Sequence, residues 1–211
     1  MTLRLVIAGA GGFGREILGQ VHTSPDFVAK NSISEVVFID DGSPTNPGAE
    51  VVGTIVNYFP QENDVLLVAL GEPKHKKTVS SSLKNRGARF VSFVHDRAFI
   101  GPRVTLGEGS VVCLDARITA DVTLEKFVTI NVNALIGHDV TLGDYSTVGP
   151  SSDLTGGVSV GSMVFIGVAA SFRPGVSIGD GARVGMGSVV VRNVLPEAQV
   201  FGNPAVNIEM P

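Results

Sequence analysis

The sequence predicts a chain in two parts: a small α/β unit with a parallel sheet, then a long parallel β-helix built from six-residue repeats. Three observations predict it. An apolar residue recurs at every sixth position from Val94 to Val190, seventeen times without an insertion, and all but Phe172 are aliphatic. The fifth place of each hexad is Ala, Val or Ser, from Ala98 to Val194. Ahead of that array, a short apolar run leads into Gly9-Ala10-Gly11-Gly12-Phe13-Gly14, an instance of G-x-G-x-x-G. A fixed period held for 102 residues is the signature of a repeat architecture and is read before anything else.

The first part covers residues 1–93. Leu3 to Ala8 reads as a buried strand, and after the glycine run Arg15 to His22 has helical spacing, with Ile17, Leu18 and Val21 on one face. Strand, glycine turn and helix form the context in which backbone N–H groups and a helix N-terminus receive a phosphate. The plainer reading of the glycines is a tight structural turn. Glu35 to Ile39 reads as a second strand ending in Asp40-Asp41, where such folds bind a ribose or base; a turn before Gly42-Ser43-Pro44 is the plainer reading. A short strand is expected around Val51 to Ile55, a buried one over Asp64 to Leu70, a helix over Lys74 to Arg86 stopped by Gly87, and a last strand over Arg89 to Phe93. Gly71-Glu72 falls at the carboxyl edge of the sheet, where ligands of open α/β folds bind. Ninety-odd residues hold about half of a dinucleotide fold, which favours a nucleotide or nucleotide-sugar over NAD.

The repeat spans residues 94–195, and 196–211 form a tail. The first and fifth places of each hexad point inward. The second place is Gly in nine hexads (Gly101, Gly107, Gly137, Gly143, Gly149, Gly161, Gly167, Gly179 and Gly185), as expected of corners that need permissive φ. Three hexads make one triangular coil, stacked at the usual strand spacing of ~4.8 Å.

Composition excludes several classes. The formal charge is −4 and no basic cluster exceeds Lys74-His75-Lys76-Lys77, so nucleic acid is not an expected partner. Cys113 is the single cysteine, leaving no disulfide and no cysteine-based metal site. Neither a secretory leader nor an apolar run of ~18 residues is evident, so no membrane partner and a cytoplasmic location are expected.

Most third- and fourth-place pairs are turn formers, such as Asp144-Tyr145 and Asp180-Gly181; His138-Asp139 differs in kind. An outward imidazole beside a carboxylate can take a proton near neutral pH while the carboxylate orients it. The bland reading is a solvated surface histidine. His22 reads as a helix C-terminal dipole partner, His75 as solvated, and His95-Asp96 as interdomain structure.

The repeated [LIV]-G-x-x-[STAV]-x pattern resembles the hexapeptide signature of left-handed β-helix acyltransferases. With the GAGGFG unit, the whole chain resembles bacterial nucleotide-sugar acetyltransferases of the NeuD/PglD type. The resemblance implies a Rossmann-like domain for the sugar nucleotide, acetyl-CoA as co-substrate, no metal, and a homotrimer with sites between neighbouring prisms. It implies His138 as general base with Asp139, acetyl-CoA contacts from Thr147, Gly156, Gly167, Val168 and Gly185, and nucleotide-sugar contacts from Gly9, Gly11, Gly12, Phe13, Gly14, Asp40, Asp41 and Gly71. Phe201-Gly202-Asn203-Pro204-Ala205 resembles the family's G-N-P-A ending, which closes over the CoA end; Val206 stands where a Lys commonly follows. Thr147 stands where the family often has a second His at the thioester, and Phe13 where relatives often read His. The expected reaction is N-acetylation of an amino-sugar nucleotide. O-acetylation of a sugar or sialic acid is the runner-up, and a silent binding scaffold the alternative of another class. A zinc hydratase on the same helix needs three His ligands, and the repeat has only His95 and His138.

Overall fold

The structure is a computed structural model that describes residues 2–208. Met1 of the first expected unit and residues 209–211 of the expected tail lie outside the described residues.

The first part is a three-stranded parallel sheet in the order β2-β1-β3, from β1 (Leu3–Ala8), β2 (Ile33–Ile39) and β3 (Asp64–Val68). Its strands are nearly all apolar because both faces are covered. On one face Leu5, Ile7, Phe38 and Leu67 pack with Ile17, Leu18 and Val21 of α1 (Gly12–His22) and Phe27 of α2 (Pro25–Lys30). On the other, Val6, Ala8, Val37, Ile39 and Leu66 pack against Leu83 of α3 (Pro73–Asn85). Alternate residues of one strand feeding two cores is the period of two that a pleated sheet dictates.

Three local expectations change. The strand expected at Val51 to Ile55 shrinks to a single bridge, Val51 to Phe38, since Gly53 interrupts a run too short to persist. The strand expected over Arg89 to Phe93 likewise reduces to a bridge between Leu66 and Phe90, after which Phe93–Val94 joins the first rung of the repeat. The short helix α2 was not anticipated. Its first-turn N–H groups are capped from far along the chain: Asp26 and Phe27 donate to the Asp96 carboxylate at 2.8 and 3.2 Å.

The remainder winds into a left-handed parallel β-helix. Two-residue strands alternate among three faces, and each pairs with the strand eighteen residues on, as Thr129 with Thr147 and Ile136 with Leu154. The first face runs from Phe93–Val94 through Thr129–Ile130, Thr147–Val148, Phe165–Ile166 and Arg183–Val184 to Gln199–Phe201. The second holds Leu135–Ile136 and its equivalents, the third Thr141–Leu142 and its equivalents. First- and fifth-place side chains fill the prism, from Val112 and Ala116 to Val190 and Val194. Three of the fifth-place serines satisfy their buried hydroxyls on carbonyls fifteen residues on: Ser110 donates to Glu125, Ser146 to Gly161 and Ser152 to Gly167.

The second-place glycines need correction. Positive φ belongs to the fourth place, where Asp121, Asn133, Asp139, Tyr145 and Ser151 lie between +55° and +64°. Second-place glycines are required by space instead: a Cβ on Gly143 would stand 2.6 Å from Ser162 N, and one on Gly137 2.7 Å from Gly156 N. Stacked corners leave no room above the backbone.

The expected tail is partly a continuation of the helix. Gln199–Phe201 adds a last rung to the first face, and Val206–Asn207 folds back antiparallel on it, placing Ala198 and Ala205 against the open end of the core.

Candidate active site

The glycine loop closes the carboxyl edge of β1. Gly9 has φ +104°, and a Cβ on Gly14 would collide with the Gly9 carbonyl, so these two glycines let α1 start against the strand. Gly11 and Gly12 face open space, and no side chain caps the α1 N-terminus. The loop therefore presents free N–H groups at the positive end of a helix dipole. Asp40 lies against it but is committed: its carboxylate accepts from Ala10 N and Gly42 N, each at 2.7 Å. Asp41 accepts from Val56 N at 2.9 Å. Both acidic residues hold loops at the sheet edge.

Beside this edge lies a cavity of about 580 Å³, between α1, the turn after β3 and the outer side of the first helical face. Volumes of this order accommodate small-molecule ligands. Phe13, Gly71, Thr147, Gly167, Val168 and Gly185 all line it, so residues expected at two different ligands share one wall. Gly9, Gly11, Gly12, Gly14, Asp40 and Asp41 lie outside its lining. Phe165, Arg183 and Met186 also line it and were not singled out from sequence, and Phe201 of the expected CoA-closing ending lines it too. The Arg183 guanidinium stacks over the Phe165 ring at 4.7 Å and pairs with Glu72 at 3.0 Å, tying the first unit to the helix. Phe201 lies over Gly185, where a Cβ would strike the ring.

His138 and Asp139 are elsewhere, at the edge between the second and third faces. His138 Nδ1 lies 2.7 Å from Asp139 Oδ2, with the side chains 70% and 65% exposed. A carboxylate only accepts, so Nδ1 carries the proton and Nε2 is left with its lone pair. Asp139 takes the left-handed φ of its place (+60°), turning its carboxylate back toward the imidazole. Gly156 lies one coil on, beneath this ring and away from the cavity: a Cβ there would stand 2.5 Å from His138 Nε2. On the preceding coil the Arg103 guanidinium holds Asp121 below the usual carboxylate range, His138 adding to the effect.

His95 is buried at the seam of the two units. Arg97 N donates to Nδ1 at 3.0 Å, so Nε2 bears the proton and faces Thr23 Oγ1 at 3.2 Å. Burial pushes its pKa down, which suits a neutral structural histidine.

The residue that sequence reading missed is Lys76. Only 1% exposed, it points from α3 to the outer side of the first face. Its ammonium donates to Thr129 Oγ1 at 2.8 Å, Thr147 Oγ1 at 2.9 Å and Ser146 O at 3.3 Å. Burial pushes its pKa down to about 7, with the Glu72 carboxylate opposing. Thr147 in turn donates to Gly71 O at 2.9 Å. The signal existed: Pro73, Lys76, Ser80 and Leu83 share the buried face of α3 at helical spacing. Among the described residues no group of three or more His, Cys, Asp or Glu is placed to hold a metal, and no helix is long and apolar enough to cross a membrane.

Comparison with known proteins agrees with this fold. Residues 4–83 match the PglD N-terminal domain, and residues 157–192 match the hexapeptide repeat of succinyl-transferase. Comparison with curated proteins returns no significant match. Among solved structures, the chain is similar to a mutant of perosamine N-acetyltransferase from Caulobacter crescentus in complex with CoA and GDP-perosamine. That similarity is 31% identity over 98% of this chain and 97% of that one, with a TM-score of 0.87. It is also similar to the acetyltransferase domain of PglB from Neisseria gonorrhoeae in complex with acetyl coenzyme A (27% identity, 99% and 100% covered, TM-score 0.90). A third similar structure is WeeI from Acinetobacter baumannii (28% identity, 98% and 100% covered, TM-score 0.88). With the glycine loop, the coiled hexads and full-length likeness in agreement, the chain belongs to the NeuD/PglD-type sugar acetyltransferases.

Proposed function

We propose that this chain transfers the acetyl group of acetyl-CoA to the amine of a nucleotide-linked amino sugar, with His138 as general base. The observation that carries the reading is the His138–Asp139 pair, the only His–carboxylate ion pair among the described residues, with its Nε2 side free at an exposed corner. The acceptor amine attacks the thioester carbonyl carbon, and the C–N bond forms. His138 Nε2 takes the amine proton, and Asp139 stabilises the imidazolium through Nδ1. The C–S bond then breaks, and the thiolate of CoA leaves with the proton returned by His138.

The division of labour follows the two parts. Residues 1–93 hold the nucleotide sugar at the glycine loop and Gly71, with Asp40 and Asp41 fixing the loops around it. Residues 94–195 hold acetyl-CoA along the first face, through Gly167, Val168 and Gly185, and the tail from 196 closes its far end. Gly156 serves the base by giving its ring a flat seat. Because His138 occupies the edge opposite the face that bears the cavity, one chain cannot bring base and thioester together. A homotrimer, in which the His138 edge of one copy meets the cavity face of the next, supplies both. The neighbouring structures that hold CoA with GDP-perosamine support an amino-sugar nucleotide as acceptor class. Soluble substrates of this kind fit a cytoplasmic enzyme.

His138→Asn tests the base. The expected outcome is loss of turnover by 10²-fold or more, in line with general-base contributions, while calorimetry still finds both ligands bound. Near-normal kcat in that variant, assayed with acetyl-CoA and a panel of nucleotide-linked amino sugars, would sink the assignment.

A further inference from the structure

The outward row of the first face changes character at one rung. Phe93, Val111 and Thr129 are buried under the first unit, while Thr147, Phe165 and Arg183 line the cavity. Thr147 is the boundary, and its hydroxyl proton is committed: the oxygen accepts from the Lys76 ammonium and the proton is donated to the Gly71 carbonyl. A hydroxyl has one proton, so with that proton on Gly71 it has none to offer a ligand in the cavity. The role expected for Thr147 at the thioester therefore passes to something else.

What the hydroxyl does instead is hold a turn. Gly71 and Glu72 connect β3 to α3, and both are pinned to the first face, Gly71 O by Thr147 and Glu72 by Arg183 two coils on. Lys76 sits behind that turn. It fills all three donors on Thr129, Ser146 and Thr147, and no carboxylate touches its ammonium among the described residues. Burying a cation this way is costly, and an apolar side chain would fill the same space more cheaply for stability alone.

Resting on the function proposed above, we infer that Lys76 is a positioning residue for acyl transfer: through Thr147 it fixes the Gly71 turn, the wall shared by the acceptor site and the cavity. The chain Thr129–Lys76–Thr147–Gly71 sets how far the acceptor amine stands from the thioester. It touches neither substrate's reacting atoms.

The test compares Lys76→Met, Thr147→Val, Thr147→Ser and the double variant Lys76→Met/Thr147→Val in the full-length protein. Two readouts are taken: steady-state kinetics with each substrate varied, and hydrogen exchange of the segment 69–76. Lys76→Met and Thr147→Val should each lower kcat/KM for the nucleotide sugar at least tenfold, leave KM for acetyl-CoA within about threefold, and speed exchange in that segment. Thr147→Ser, which keeps the hydroxyl, should restore near-wild-type values. The double variant should be no worse than the poorer single, because members of one relay are not additive. Unchanged exchange and unchanged kcat/KM in Lys76→Met, or additive losses in the double variant, overturn the inference. If Lys76→Met does not fold, the Thr147→Val and Thr147→Ser pair decides by the same readouts. If the wild type turns over no acceptor, the proposed function fails; the exchange data still decide whether Lys76 holds the turn.

Discussion

A lysine ammonium with 1% exposure is the least expected residue in this molecule, and its titration is measurable. Lys76 is held at about 7 against an ordinary value of 10.5, burial being the cause. Below about pH 7 both folded and unfolded chains carry the proton, and the full cost of burying the charge stands. Above it the folded protein sheds the proton first. The unfolded state then binds more protons, and stability rises with pH until the ordinary lysine range is reached. At ~1.4 kcal/mol per pH unit, Lys76 should add about 2 kcal/mol between pH 7.5 and 9. Urea unfolding of wild type and Lys76→Met at the two pH values checks this; equal slopes would refute it. The outward His138–Asp139 pair was legible in the sequence because it breaks a row of turn formers. Lys76 was not, because a charge in a run of Lys74, His75 and Lys77 reads as solvated until a second surface is laid against the helix.

The hexad is an element whose two special places have different physics, and glycine substitution separates them. Gly143, in the second place, has Ser162 N where its Cβ would go. Gly157, in the fourth, has φ +72° and no neighbour closer than 3.8 Å. Gly143→Ala should cost about 1–3 kcal/mol through overlap with the next coil. Gly157→Ala should cost about 1 kcal/mol of left-handed strain, which Asp, Tyr and Ala tolerate at other fourth places. Thermal melts of the two variants should rank them in that order, and the reverse order would reject this account of the corners. The hexad was readable to the residue because its period is local and uninterrupted. Helix α2 was not, since the carboxylate that caps it, on Asp96, lies 70 residues from Asp26. A cap supplied across the fold leaves no mark within a short window of sequence.

For the molecule as a whole, the division into a parallel α/β unit and a β-helix was legible, because a G-x-G-x-x-G turn and a six-residue period admit few architectures. How the two are joined was legible only at His95-Asp96, read as interdomain structure and found at the seam with Thr23, Asp26 and Phe27; Lys76, Arg183 and Glu72, polar residues whose partners also come from the other unit, gave no such sign. The separation of the His138 edge from the cavity face leads to a prediction at this scale. On the function proposed above, His138→Asn removes the base, and Val168→Trp, at a half-exposed cavity position, fills the donor site. Each alone should be inactive. Refolded together in equal amounts, they should recover about a quarter of wild-type activity, the share of interfaces that pair an intact cavity with an intact His138. No recovery in mixed oligomers would mean that the site lies within one chain.

The cavity wall is graduated. From Thr147 through Phe165 and Arg183 to Gln199 it climbs one rung at a time, three steps of ~4.8 Å or roughly 14 Å in all. On the function proposed above, a donor lying along this wall would be measured by a ruler whose divisions the backbone sets. Side-chain changes can tighten or loosen its fit. Its length alters only when a whole coil of eighteen residues is gained or lost.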